Sequence, residues 1–427
     1  METVLKSAWQ RSKLLVKGLL IGLLVILLMI PAYFVENVIK EREDRQKEAI
    51  TEVSSKWAGK QNITGPVLVL PYKEQIIPGS TQTETKLAYI LPDNLNIDAD
   101  VKPEERHRGI YEVLLYSSVI KMSGKFNPVL VQQMNIDPAS VLWNEAYVCM
   151  DLADAHGLRE DINFKWNDSI VKLNPAAAAN AVMLNGFQAP VNFAQGVSAD
   201  FSATISINGS EQLLFTPVGK ETVVKLSSTW ADPGFTGTQL PDHKVTSTGF
   251  TATWRSLALT RSFPQSWKTG TFNLQSSSFG ANLVIPVSSY QKTMRSVKYA
   301  ILCILLTFAA FFIIETVNKK SVHPFQYALI GLALILFYTL LLSFSEYIGF
   351  NSAYIVASIA TVGLIGWYVK GILQSSKLSS VLAVVLVLMY SYIFTILQLQ
   401  DYSLLLGSIG LFLTLGVIMK FTKKIQW

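Results

Sequence analysis

The sequence predicts an α-helical membrane protein with six spans, one followed by five. A large β-rich, sandwich-like periplasmic domain is inserted between the first and second spans. Three observations carry this: evenly sized apolar runs, basic residues that alternate between the gaps, and a long intervening stretch that reads as strand after strand.

The apolar runs fall near Gly18–Val35, Tyr299–Val317, Tyr327–Ser343, Ser352–Val369, Val381–Leu399 and Ser403–Met419. Each is close to the length that a helix rising 1.5 Å per residue needs to cross a hydrocarbon core of about 30 Å. Bulk composition agrees, with 50% of the 427 residues hydrophobic and a mean hydropathy of +0.34.

Lys6, Arg11 and Lys13 precede the first run, and Lys319 and Lys320 follow the second. Lys370 and Lys377 follow the fourth, and Lys420, Lys423 and Lys424 follow the sixth. The short gaps from Glu346 to Asn351 and from Gln400 to Tyr402 carry no Lys or Arg. Basic loops stay on the cytoplasmic side, so both termini are expected there and the inserted domain outside. Arg295 and Lys298 dissent, but they end a long loop, where charge counts for less. The first run exceeds a signal-peptide core, and Pro31-Ala32-Tyr33-Phe34 lacks a cleavage site, so a retained anchor is expected.

The organisation is then residues 1–35 as tail and signal anchor, 36–297 as the periplasmic domain, and 298–427 as the five-span block. Glu36 to Lys56 contains no Gly or Pro and mixes charge signs, which extends the first helix beyond the bilayer. Gly59 and Gln61 to Pro66 stop it. Strands follow at Val67–Leu70, ended by Pro71, and at Tyr111–Met122 and Phe201–Ile207, the last apolar at alternate positions. Asn208-Gly209 reads as a tight hairpin turn returning through Gln212 to Phe215. Further strands are expected at Val223–Ser227, Gly249–Trp254 and Leu283–Val287, giving an antiparallel sandwich.

The net charge of +6 sits mainly in the membrane flanks, where it sets orientation and meets anionic headgroups. That leaves the lipid bilayer as one partner and no nucleic-acid role. Cys149 and Cys303 fall in different regions and read as small buried apolar residues.

Chemistry is sparse. Glu315 falls near the cytoplasmic end of its span, and Glu346 and Asp401 lie in the outer turns. Thr307, Thr339, Thr361, Ser391, Thr395 and Gln398 are neutral and suit helix-packing hydrogen bonds. Asp151, Asp154, His156, Glu160 and Asp161 have ligand chemistry for a divalent cation, but Gly157 interrupts them and a solvated loop is expected. Glu104 to Arg108 reads as a surface ion-pair network. No nucleophile elbow, phosphate loop or His-Glu-x-x-His pattern occurs. Catalytic residues, metal and cofactor are accordingly not expected. The candidate functional motif is His323, Pro324, Gln326 and Tyr327, with Glu346; Pro324 suits a first helical turn, and His323 is placed for a contact with a cytoplasmic partner.

Several stretches together resemble one family. They are Ile39-Lys40-Glu41-Arg42, Gly65-Pro66-Val67-Leu68, Glu104-Glu105-Arg106 with Gly109-Ile110-Tyr111, and Thr248-Gly249-Phe250 before Trp254. Lys298 to Leu302, Leu306-Thr307-Phe308, His323-Pro324-x-Gln326-Tyr327, Phe337-Tyr338-x-Leu340-Leu341-Leu342 and Ser345-Glu346-x-x-Gly349-Phe350 complete the series. Their order resembles the CreD family of bacterial inner-membrane proteins across most of the chain. The resemblance implies an inner-membrane protein of envelope integrity and stress response with its soluble domain in the periplasm. A large β-rich domain without catalytic constellations on a charge-poor helical block adds the expectation of a non-enzymatic protein whose periplasmic domain binds a protein, lipid or cell-wall ligand. The resemblance supplies no catalytic residues. Glu346-Tyr347 replaces the family's frequent Glu-His pair. Two other readings compete: a transporter or channel built on Gly331, Gly363, Gly366, Gly407 and Gly410, and a hydrolase at the Asp151–Asp161 cluster.

Overall fold

The computed structural model describes residues 2–76, 81–128, 131, 133–176, 186–268, 270–283, 289–318, 320–399 and 402–422. The chain forms two compact units, one of Met1–Lys47 with Val287–Trp427 and one of Glu48–Pro286.

The first unit is helical. It comprises most of α1 (Glu2–Trp57), then α2 (Ser289–Val297), α3 (Ala300–Val317), α4 (Pro324–Ile348), α5 (Phe350–Leu373), α6 (Ser376–Gln398) and α7 (Ser403–Thr422). Among the described residues, five helices are long and apolar enough to cross a membrane, namely α1 and α3 to α6. The sixth expected run coincides with α7, a helix of 20 residues. The short α2 is absent from the sequence reading, because its nine residues, with Gln291, Lys292, Thr293, Arg295 and Ser296 between Ser289 and Val297, carry no apolar run. Turn chemistry separates the spans: Gly349 at φ +74° stands between α4 and α5, and Gln374, left-handed, closes α5 before Ser375 caps α6.

Aromatic rings fill the interior of the helical unit. Phe337 lies against Tyr338, Tyr354 and Tyr390. The hydroxyls of Tyr354 and Tyr338 donate to the Tyr390 carbonyl at 2.9 Å and to Cys303 Sγ at 3.4 Å. Leu28 of α1 reaches so far into α4 that a Cβ on Gly331 would lie 2.2 Å from its Cδ1. Glycine here serves close helix packing rather than unwinding. Leu19, Ile26, Trp367 and Leu388 point outward and are exposed, as a lipid-facing surface requires.

The second unit is built on strands: β1 (Gln61–Gln75), β2 (Thr83–Ile90), β3 (Asn94–Arg108), β4 (Tyr111–Phe126), β5 (Tyr147–Leu152), β6 (Asn163–Trp166), β7 (Ser169–Lys172) and β8 (Asn174–Pro175). After them come β9 (Gly186–Pro190), β10 (Ala199–Phe215), β11 (Glu221–Ser228), β12 (Gly234–Gly237), β13 (Asp242–Thr246), β14 (Gly249–Leu257), β15 (Ser266–Trp267) and β16 (Phe279–Leu283). The main path runs β13-β14-β11-β3-β4-β10-β1-β5-β9-β8. Pairing is mostly antiparallel, but β1 with β10 and β3 with β11 are parallel, which the expected antiparallel arrangement did not include. One hydrophobic core serves the unit, with Tyr116, Phe126, Phe164, Phe215, Trp254 and Phe279 fully buried.

Two local readings are corrected, at Asn208-Gly209 and at Pro71. Asn208-Gly209 is not a turn but lies inside the 17-residue β10. Up to Ser210 this strand pairs with β4; from Glu211, at φ +60°, it pairs with β16 and, from Leu213, in parallel with β1. Gly209 is required by proximity, since a Cβ there would sit 2.3 Å from Tyr116 Cζ, and the Tyr116 hydroxyl donates to the Gln212 carbonyl at 2.8 Å. Gln61 to Pro66 ends the helix by opening β1. Pro71 does not end that strand: it stays in register opposite Leu87 of β2. The ladder to β5 finishes at Val69, and beyond it the Pro71 carbonyl accepts from the Leu142 N–H at 2.9 Å, a margin of the strand that asks for no N–H from the proline. Of the strand expected at Leu283–Val287, Leu283 ends β16 and the rest lies outside the described residues.

Candidate functional site

Glu315 occupies the last turn of α3 and is buried, at 4% exposure. A lone carboxylate in an apolar span is costly, so it must be paired and hydrogen-bonded. Lys17 of α1 forms an ion pair with its Oε1, the Val322 N–H donates to the same oxygen at 2.9 Å, and the Tyr327 hydroxyl donates to Oε2 at 2.8 Å. Lys17 Nζ also donates to the Val322 carbonyl at 2.8 Å. The Tyr327 ring is fixed between Phe308 and Phe311, with centroids 5.4 and 4.9 Å away.

His323, Pro324 and Gln326 supply the platform. His323 Nδ1 accepts from the Phe325 N–H at 3.2 Å, and Gln326 Oε1 accepts from the His323 N–H at 3.0 Å. This reciprocal cap satisfies donors that a helix start leaves open. Pro324 takes the first helical position, where its missing N–H costs nothing. Tyr327 follows in the first turn, aimed at Glu315. The four motif residues from His323 to Tyr327 therefore act together, as a clasp around one carboxylate.

Glu346 does not join them. It sits 19 residues beyond Tyr327 on α4, about 28 Å along the helix. There its Oε1 accepts from the Tyr290 hydroxyl at 3.0 Å and lies 3.9 Å from Arg42 Nε. Thus α1 meets a carboxylate of the same unit near each end of its apolar stretch, through Lys17 and through Arg42. Lys17 was missed in the sequence and Glu315 noted only for its position. The available signal was a lone acid ending one span and, of the basic residues before another, the one that abuts its apolar run.

The acidic group of the β unit disperses. Asp151 is buried on β5, not solvated, and accepts from Gln275 Nε2 at 3.1 Å. Asp154 accepts from the backbone N–H of Gly59 at 2.8 Å and of His156 at 3.0 Å. Partial burial pushes its carboxyl upward, but these bonds and the His156 ring outweigh that and hold it below the ordinary value. Glu160 accepts from Ser206 Oγ, and Asp161 pairs with Lys172 at 3.3 Å. Among the described residues, no three His, Cys, Asp or Glu converge to hold a metal ion. Glu104 to Arg108 form the end of β3; Arg106 lies over the Trp57 ring at 4.6 Å and Arg108 pairs with Glu52 at 3.1 Å.

The buried clasp, the two-ended pairing of α1 and the inserted β unit describe an architecture, and a family model for inner membrane protein CreD matches residues 13–427 of it. The chain belongs to the CreD family. Inner membrane protein CreD of Escherichia coli (strain K12) is 29% identical over 417 residues, covering 94% of this chain and 91% of that protein. Solved structures offer only a faint likeness. An M1 zinc metallopeptidase from Deinococcus radiodurans is 9% identical, with a TM-score of 0.20 over 39% of this chain and 38% of its own. A two-domain M1 zinc metallopeptidase bound to L-tryptophan is 8% identical, with a TM-score of 0.18 over 39% of this chain and 40% of its own. Scores that low carry no argument about the CreD-family fold or its chemistry.

Proposed function

We propose that this CreD-family chain is a non-enzymatic, multi-pass protein of a bacterial inner membrane that supports envelope integrity and the stress response. In this reading six helices span the bilayer and both termini are cytoplasmic. The β unit stands in the periplasm and holds a protein, lipid or cell-wall ligand. The helical unit anchors it or relays its state.

The observation that supports this most is the use made of the His323–Tyr327 motif. Its residues cap α4 and hold Glu315 against Lys17, which is the work of a structural joint. A transport path through flexible glycines is less favoured, because Gly331 is filled by Leu28.

A deletion strain challenged with cell-wall and membrane-targeting agents tests the reading. The expected result is sensitisation that the full chain restores, and a reporter within Glu48–Pro286 that is active only outside the cytoplasm. A deletion with no phenotype under any envelope stress, or a reporter active only inside, ends it.

A further inference from the structure

We infer that the mouth of the Lys17 clasp is a binding site for an anionic glycerophospholipid, with its phosphate beside Lys17 and His323 and an acyl chain along α1. An open cavity of about 590 Å³ lies here, lined on one side by Val16, Lys17 and Leu20 and on the other by Ser321, His323 and Gln326. It is entirely within the helical unit, so the inference holds whichever way the chain is threaded and does not depend on the envelope reading.

The lining is amphipathic in a specific sense. Val16 and Leu20 lie one helical turn apart on α1 and are exposed, forming an apolar strip that continues into the lipid-facing surface. The polar groups gather at the end of that strip. An ammonium carries three N–H donors; Lys17 directs one to Glu315 and one to the Val322 carbonyl, which leaves one for a ligand. His323 accepts at Nδ1, which places its ring proton on Nε2 as a second donor, and the residue is exposed. The Ser321 hydroxyl adds a third, and the exposed Lys320 beside it supplies net positive charge. Donors and cation above, hydrocarbon below: that is the order of groups in a phospholipid, and basic pockets between spans select anionic headgroups. A free phosphate would leave Val16 and Leu20 without a role.

Native mass spectrometry of the full chain in neutral detergent, titrated with phosphatidylglycerol, phosphatidylethanolamine or inorganic phosphate, tests this. Phosphatidylglycerol is expected to be retained over phosphatidylethanolamine and not displaced by phosphate. Ser321→Asp, which leaves the Lys17–Glu315 pair intact, is expected to weaken retention about fivefold, the effect of one charge at a membrane surface. Leu20→Trp, which fills the acyl side, is expected to weaken it as well, and it stands alone if Ser321→Asp does not fold. Equal retention of the two lipids, retention unchanged in the folded variants, or displacement by inorganic phosphate would each overturn the inference.

Discussion

The Tyr327 hydroxyl donates to Glu315 Oε2 at 2.8 Å, while Lys17 holds the other carboxylate oxygen of the same residue. Tyr327 is thereby a partner of a buried charge, and its loss is felt as such. Tyr327→Phe is expected to destabilise the helical unit by about 1.5–3 kcal/mol, the range for hydrogen bonds to charged groups. Glu315→Leu, which strands the Lys17 ammonium, is expected to cost about 3–5 kcal/mol. The double variant Lys17→Met with Glu315→Leu is expected to cost less than Glu315→Leu alone. Unfolding in detergent micelles reads these variants and Lys17→Met alone; strict additivity of the two single substitutions in the double variant would show that the pair is not coupled.

At the other end of α4, Glu346→Gln is expected to cost less than about 1 kcal/mol. The amide oxygen still accepts from Tyr290, and the Arg42 contact is long and partly solvated, so little Coulomb energy is lost. A loss matching that of Glu315→Leu would mean that the two carboxylates are equally dependent on their charge.

Gly331→Ile places a side chain where Leu28 already lies. Overpacking of this kind is expected to cost about 1–3 kcal/mol, and Leu28→Ala in the same chain is expected to recover part of it. Absence of any recovery in unfolding assays would contradict the close approach of α1 and α4.

Asn208→Thr distinguishes a strand from a turn. Within β10 the change is expected to alter stability by no more than about 0.5 kcal/mol, because a β-branched residue suits extended backbone. A hairpin at Asn208-Gly209 would instead need positive φ at Asn208 and would reject threonine. Substantial loss of the β unit's cooperative unfolding in this variant would restore the turn.

Asp154 gives the β unit an acid dependence. Its folded-state pKa lies below the ordinary 3.8, so its contribution is fully present above that value and is lost as pH falls through the folded one. Asp154→Asn is expected to flatten the stability profile below about pH 4, followed by tryptophan fluorescence. An unchanged acid limb would locate the sensitivity in another carboxylate.

The extent to which this structure is legible in the sequence follows the range of the forces involved. Apolar runs are local, and all of them became helices. The continuation of α1 through Glu36 to Trp57 was equally local, written in charge pairs such as Arg45 with Glu41. The Asn208-Gly209 signal was local too, but Tyr116, from another strand, set the meaning of Gly209. The motif at His323 could be seen, whereas its purpose could not: Lys17 and Glu315 are 298 residues apart, and no pattern along the chain joins them. Asp151 looked solvated among acidic neighbours because only the folded sheet shows Gln275 above it.

A single strand, β10, is stitched into two halves of the β unit, handing its hydrogen bonds from β4 to β16 at Glu211 and to β1 from Leu213. Neither half can fray without loosening the other. Amide protons from Phe201 to Phe215 should consequently exchange in one concerted event, so that proteases meet this module either whole or fully opened.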